Sequence, residues 1–294
     1  MKMKLEGSCT ALVTPWKNGK LDEKAFVAHV EDQIAKGTAG LVPMGTTGEN
    51  ATASNEEQLE VIRLCVKTAR GRVPVIGGTG KYSTDQTIAL TKAAKEVGAD
   101  AALVVTPFYN KPSPEGLYQH FLAVADAVDL PVLLYNVPGR TGVNLTAETT
   151  ARLAAHPRIF GTKEASGDLV QCAEIARTCG RDFCLISGED ALTFPMIAIG
   201  ARGVISVTSN VVPELFAKLV KASLTADYTA ARELHYRLLP LMRGLFLESS
   251  PSPTKHMLKR MGRMEADVRL PLVKVSAGIE PKLDAIAKEL GLYS

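Results

Sequence analysis

The chain has 294 residues, 46% of them hydrophobic and 22% charged, with a formal net charge of +3. This balance excludes a disordered chain, and the length suits a single α/β barrel, which needs about 250 residues, with some chain left over. Lys and Arg alternate with Asp and Glu instead of clustering, which argues against a nucleic-acid partner.

In chain order, the first seven residues lack an apolar signal core. No later stretch is long and apolar enough to span a membrane, so a cytoplasmic protein is expected. A short apolar run, 9–14, comes first, and a second, 40–44, leads into Gly45, Thr46, Thr47, Gly48 and Glu49. Ser54 and Glu57 form a capping box for a helix whose apolar stripe is Leu59, Ile62, Val66 and Ala69. Run 73–77 is followed by Gly78, Thr79 and Gly80, and then by a helix that Thr84 is expected to cap and Gly98 to end. Run 101–106 ends in Pro107, Phe108, Tyr109 and Asn110; run 131–136 carries Tyr135 and leads into Arg140. Run 159–163 ends on Lys163, and Asp168 opens the next helix, which stops before Gly180. Runs 183–187 and 203–208 complete the series, the first leading into Gly188, Glu189 and Asp190.

These runs are rich in Val, Ile and Leu, as strands buried on both faces require. Eight strand–helix units without a linker predict a closed (β/α)8 TIM barrel; an open doubly wound sheet would need a nucleotide fingerprint that the sequence lacks. Beyond about residue 212 the strands stop. Segments 213–224, 226–247, 253–261 and 281–290 read as helices. The expected division is a catalytic barrel over 1–224 and a helical C-terminal domain over 225–294.

Several chemistries are set aside. Cys9, Cys65, Cys172, Cys179 and Cys184 are odd in number and form no C-x-x-C, so reduced, packed thiols are expected. His29, His120, His156, His235 and His256 are scattered and build no metal motif. The Gly77–Lys81 stretch fails as a phosphate loop, because Val75 and Tyr82 stand where Gly and Ser or Thr are needed. No G-x-S-x-G elbow is present.

Active sites of such barrels lie at the C-terminal ends of the strands. Lys163 at such an end is costly to keep charged. A neutral amine there attacks a ketone and forms an imine, an electron sink for carbon–carbon bond chemistry. The spacing reads equally well as an ion pair with Glu164. Tyr135, one strand earlier, suits proton relay or simple packing. Thr46 and Thr47 occupy a turn whose amides suit a carboxylate, or a turn with purely local bonds. Arg140 suits bidentate binding of a carboxylate, or a surface salt bridge.

Taken together and in this order, the segments GTTGE (45–49), VTPFYNKPS (105–113), LYNVPGRTG (134–142), GTKEASGD (161–168) and GVISVTSN (203–210) closely resemble the dihydrodipicolinate synthase family of the N-acetylneuraminate lyase superfamily. The resemblance implies that Lys163 forms a Schiff base with pyruvate and that Tyr135, Thr46 and Tyr109 relay protons. It implies that Tyr109 reaches into a neighbouring subunit's site. Thr47 and the Ile205 carbonyl would contact pyruvate, and Arg140 would hold the carboxylate of L-aspartate 4-semialdehyde. The implied product is 4-hydroxy-tetrahydrodipicolinate, at the first committed step of lysine and diaminopimelate biosynthesis. No metal or organic cofactor is implied, and the implied assembly is a homotetramer built as a dimer of dimers. A sugar-acid aldolase of the same superfamily would not need the Arg140 clamp, and a silent binding homologue would not need the whole set. In lysine-inhibited members a Glu and a Tyr stand where this chain has Gln86 and Phe108, and histidines stand near Asn55 and Gln58. Losing that carboxylate implies weak inhibition by lysine, or none. Ser250 stands where an Asn is usual, a change with no physical account at this level.

Overall fold

The computed structural model describes residues 3–293; the ends of the two expected domains, Met1, Lys2 and Ser294, lie outside the described residues. Eight parallel strands form one sheet: β1 (Gly7–Ala11), β2 (Gly40–Val42), β3 (Ile76–Gly78), β4 (Ala101–Val105), β5 (Val132–Asn136), β6 (Ile159–Glu164), β7 (Cys184–Ser187) and β8 (Gly203–Ser206). Each strand pairs with its neighbours in sequence, and β1 pairs in parallel with both β8 and β2. Between β2 and β3 the ring closes through the Leu41–Val75 bridge and the hydrogen bonds Leu41 N–H to Pro74 O (2.9 Å) and Gly78 N–H to Pro43 O (3.0 Å). A side chain at Gly78 would lie 2.0 Å from the Met44 carbonyl oxygen, so only glycine lets β3 close here. The result is the (β/α)8 barrel that the apolar runs predict.

The helices between the strands are α1 (Glu23–Ala35), α2 (Asn55–Ala69), α3 (Thr84–Glu96), α4 (Pro114–Ala127), α5 (Ala147–Ala154), α6 (Leu169–Thr178) and α7 (Thr193–Ala198), and α8 (Pro213–Leu224) follows β8. The expected capping box is formed: the Glu57 amide donates to Ser54 Oγ, and the Ser54 amide donates to Glu57 Oε2. The cap of α3 is corrected by one residue. Ser83 accepts the Gln86 amide, and Thr84 is already helical. Run 73–77 likewise starts too early: Pro74 has no N–H, the Val75 amide donates to Asp100 Oδ2 (2.8 Å), and the strand begins at Ile76. The C-terminal helices are α9 (Tyr228–Gly244), α10 (Ser252–Arg260) and α11 (Glu280–Glu289).

Pleating sorts the strand residues into two cores. Ala101, Leu103, Leu133, Tyr135, Phe160, Ile186 and Ile205 fill the barrel interior. Ala102, Val104, Val132, Leu134, Ile159, Leu185 and Val204 pack outward against the helices. Across neighbouring strands Val105 pairs with Tyr135, Tyr135 with Lys163, and Lys163 with Ile186. β6 changes parity once, at the register shift where Val132 pairs with Ile159 and Leu133 with Gly161; from Gly161 on, alternation sends Thr162 and Glu164 to the outer side. Four cysteines are buried and Cys179 is half-buried; none of the five is in a disulfide. No helix among the described residues is long and apolar enough to cross a membrane.

Candidate active site

Lys163 sits at the C-terminal end of β6, on the inner face, and is only 6% exposed. Its Nζ lies 4.2 Å from the centroid of the Tyr135 ring. Among the described residues no carboxylate forms a salt bridge with it. Glu164, the partner that spacing allows, faces away: its carboxylate accepts from Asn136 Nδ2 (3.0 and 3.1 Å), the Ser166 amide (2.8 Å) and Gln171 Nε2 (3.3 Å). Burial outweighs those bonds and raises the Glu164 carboxyl above the usual range.

A chamber of about 590 Å³ opens above the strand ends, and Lys163, Tyr135, Thr46, Thr47 and Arg140 all line it. Thr46–Gly48 form a 3₁₀ turn held by Gly48 N–H to Gly45 O (3.0 Å) and Glu49 N–H to Thr46 O (3.1 Å). Those bonds leave the amides of Thr46 and Thr47 outside the turn's own pairing, as the start of any 3₁₀ or α turn does. Arg140 is exposed at the rim, on the short helix Pro138–Thr141. Thr141 pins that helix by accepting from Thr106 (3.2 Å) and lying within hydrogen-bond distance of the Val137 and Val143 carbonyls. The loop beyond it hangs on Asn136, which donates to Asn144 Oδ1 (2.7 Å) and accepts the Leu145 amide (2.9 Å). Glu164 therefore acts on the other side of the strand: by holding Asn136 it helps to fix the loop that follows the Arg140 helix.

Two predicted residues stand apart. Ile205 is buried in the interior wall and does not line the chamber. Tyr109, in the loop after β4, has a left-handed backbone (φ 72°) and is 92% exposed, so one chain does not bring it to Tyr135 or Thr46.

The chamber also has walls that sequence reading did not assign. Glu189 lines it, its carboxyl raised first by burial and then by Asp190, with Lys163 acting in the opposite sense. Asp190 is fully buried and accepts the amides of Val207 (3.1 Å) and Thr208 (2.7 Å), tying the ends of β7 and β8 together. Phe246, Glu248, Ser249 and Ser250, from the chain between α9 and α10, close the far side. Ser250 is buried, and its Oγ has no hydrogen-bond partner.

Gly188 packs against the Lys163 stem. An added Cβ would meet Ala165 Cβ at 2.8 Å and Lys163 Cε at 3.0 Å. Gly188→Ala is expected to displace the amine and to lower kcat by on the order of 10- to 100-fold, with little loss of folded protein. Steady-state rates and a thermal melt check this; a kcat within about twofold of wild type would show that the stem relaxes freely.

A second cavity of about 470 Å³ adjoins the chamber and shares Thr46, Val137 and Arg140 with it. Asn55, Lys81, Tyr82, Gln86 and Phe108 line it, and no carboxylate does. Gln58 is not part of it: fully buried in α2, its amide donates to the carbonyls of Asn50 (3.0 Å) and Ala53 (2.8 Å).

Comparison with known proteins agrees along nearly the whole chain. Residues 4–290 match the Dihydrodipicolinate synthetase family. The 4-hydroxy-tetrahydrodipicolinate synthase of Thermodesulfovibrio yellowstonii is 48% identical over 98% of this chain and 99% of its own. The crystal structure of the dihydrodipicolinate synthase from Aquifex aeolicus superposes with a TM-score of 0.96 at 43% identity, covering 98% of both chains. The chloride-inhibited dihydrodipicolinate synthase from Acinetobacter baumannii, solved in complex with pyruvate, superposes with a TM-score of 0.97 at 42% identity, covering 98% of this chain and 100% of that one.

Proposed function

The chain belongs to the dihydrodipicolinate synthetase family, and on that premise we propose that Lys163 is the amine through which it works. The reaction is the condensation of pyruvate with L-aspartate 4-semialdehyde to 4-hydroxy-tetrahydrodipicolinate, the first committed step towards lysine and diaminopimelate. The Lys163 amine adds to the keto carbon of pyruvate, and water leaves to give the imine. Loss of a methyl proton gives the enamine, whose carbon attacks the aldehyde. The semialdehyde's own amine then displaces Lys163 as the ring closes. Tyr135 moves the protons, with Thr46 and Tyr109 completing the relay. Thr47 and the Ile205 carbonyl contact the pyruvate moiety, and Arg140 takes the second substrate's carboxylate. The reaction needs no metal or organic cofactor.

One observation carries this reading: the Lys163 amine is enclosed, unpaired with any acid, and shares its chamber with Tyr135, Thr46, Thr47 and Arg140. Borohydride reduction with pyruvate, followed by mass spectrometry, should place the adduct on the peptide containing Lys163, and the untreated enzyme should consume the semialdehyde. A sugar acid as the only turned-over substrate would overturn the reading.

The working assembly is a cytoplasmic homotetramer, a dimer of dimers, in which Tyr109 enters the partner's chamber. The barrel spans 1–224 and the helical domain 225–294. Support for the Tyr109 role comes from its exposure and from its left-handed backbone, a conformation kept at a cost where function requires it.

Lysine is expected to inhibit poorly. The second cavity offers its ammonium no carboxylate, and Lys81 lines the same space, its own ammonium disfavoured by burial. At millimolar lysine the rate should fall by less than about twofold, because a desolvated ammonium without an anionic partner binds weakly. Strong inhibition in a steady-state assay would contradict this.

A further inference from the structure

Two charged side chains outside the reaction chamber have no solvent exposure at all. Glu49 closes the turn that carries Thr46 and Thr47; Lys255 lies in α10, 206 residues later, and its ammonium donates to Glu49 Oε1. Every oxygen of that carboxylate is used, because Glu49 Oε2 accepts the Arg269 amide at 3.0 Å. Lys255 also donates to the Asp267 carbonyl at 2.7 Å. Burying two ions costs about as much as their attraction returns, so stability alone does not account for the pair.

Its geometry does. Glu49 has a left-handed backbone (φ 61°), and its amide donates to the Thr46 carbonyl. A glutamate adopts that conformation at a cost, and here both ends of its side chain are held. From the barrel side the Thr14 hydroxyl donates to the Gly48 carbonyl at 2.8 Å. The turn is thus fixed between the segment that follows β1 and the C-terminal segment, with Thr46 and Thr47 left facing the chamber.

We propose that the Glu49–Lys255 pair is a positioning element: it sets the Thr46–Thr47 turn at the height where the pyruvate carboxylate is received, making α10 part of the substrate seat. This rests on the reading of that turn as the pyruvate contact. The two ideas separate experimentally, because the semialdehyde is held elsewhere, by Arg140.

The test is the double variant Glu49→Gln with Lys255→Met, which removes both charges and leaves neither ion stranded, compared with wild type and with Thr47→Ala. The double variant should melt within a few degrees of wild type. Its KM for pyruvate should rise at least about tenfold while its KM for the semialdehyde stays within about twofold, the signature of a displaced seat for one substrate only. A folded double variant with the wild-type pyruvate KM would overturn the proposal. If the double variant does not fold, Glu49→Asp keeps both charges and shortens the tether by one methylene. It should raise the pyruvate KM in the same selective way, and an unchanged value is again fatal. If Thr47→Ala leaves the pyruvate KM unchanged, the seat itself is misassigned; if it alone raises that KM, the seat stands and the pair has no part in it.

Discussion

Lys163→Ala abolishes the borohydride-trapped pyruvate adduct and lowers kcat/KM by on the order of 10⁴- to 10⁶-fold, the scale seen when a covalent nucleophile is removed. The reason is local. Lys163 is buried at the inner end of β6, and Glu164, its neighbour in sequence, is on the opposite face and engaged with Asn136 and Gln171. No second lysine lines the chamber to take over. The variant should fold, because alanine removes a terminal amine that forms no salt bridge with any described residue. Mass spectrometry of the reduced complex reads the first effect and a condensation assay the second. Survival of the adduct in Lys163→Ala would mean that another amine is the nucleophile.

Arg140→Ala separates the two substrates. Its guanidinium stands at the rim, on a helix fixed through Thr141 and, beyond it, through Asn136 and Glu164. It is poised to form a bidentate pair with a carboxylate entering from solvent, and losing such a pair costs about 3 kcal/mol, or about 10²-fold in kcat/KM for the semialdehyde. Trapping of pyruvate should continue at close to the wild-type rate. Stopped imine formation is the control that gives this meaning: parallel loss of both steps would show that Arg140 supports the chamber rather than the second substrate.

The two variants also mark what the sequence makes legible. All eight strands announce themselves as short apolar runs, because both faces of a barrel strand are buried. The reactive side chains follow from the polar residue at each run's end. Strand parity even contains the answer to the Lys163–Glu164 ambiguity: adjacent residues of a strand cannot share a face, so a lysine inside implies a glutamate outside. Run 73–77 starts ahead of β3 because Pro74 and Val75 are apolar, yet Pro74 has no N–H and the Val75 amide donates to Asp100 Oδ2 instead of the ladder. Other features depend on contacts that no local pattern encodes. Phe246, Ser249 and Ser250 become chamber wall only through the path of the chain between α9 and α10. The Glu49–Lys255 pair joins positions more than two-thirds of the chain apart. Gln58 is grouped with Asn55 by the family resemblance, but its side chain turns back to donate to the Asn50 and Ala53 carbonyls in the loop before α2.

The division of labour along β6 has a consequence for what can change in this protein. A single-residue deletion or insertion between Gly161 and Glu164, past the register shift near the start of the strand, would exchange the two sides of the pleat. The carboxylate would then enter the chamber and the amine would be stranded among the helices, so the chamber's amine and the loop anchor would be lost together. Length changes in this strand should therefore be all-or-none in their effect, whereas point substitutions on its outer side should erode activity by degrees through the Arg140 loop. Tolerance to indels across the eight strands is thus expected to reach its minimum at this one segment.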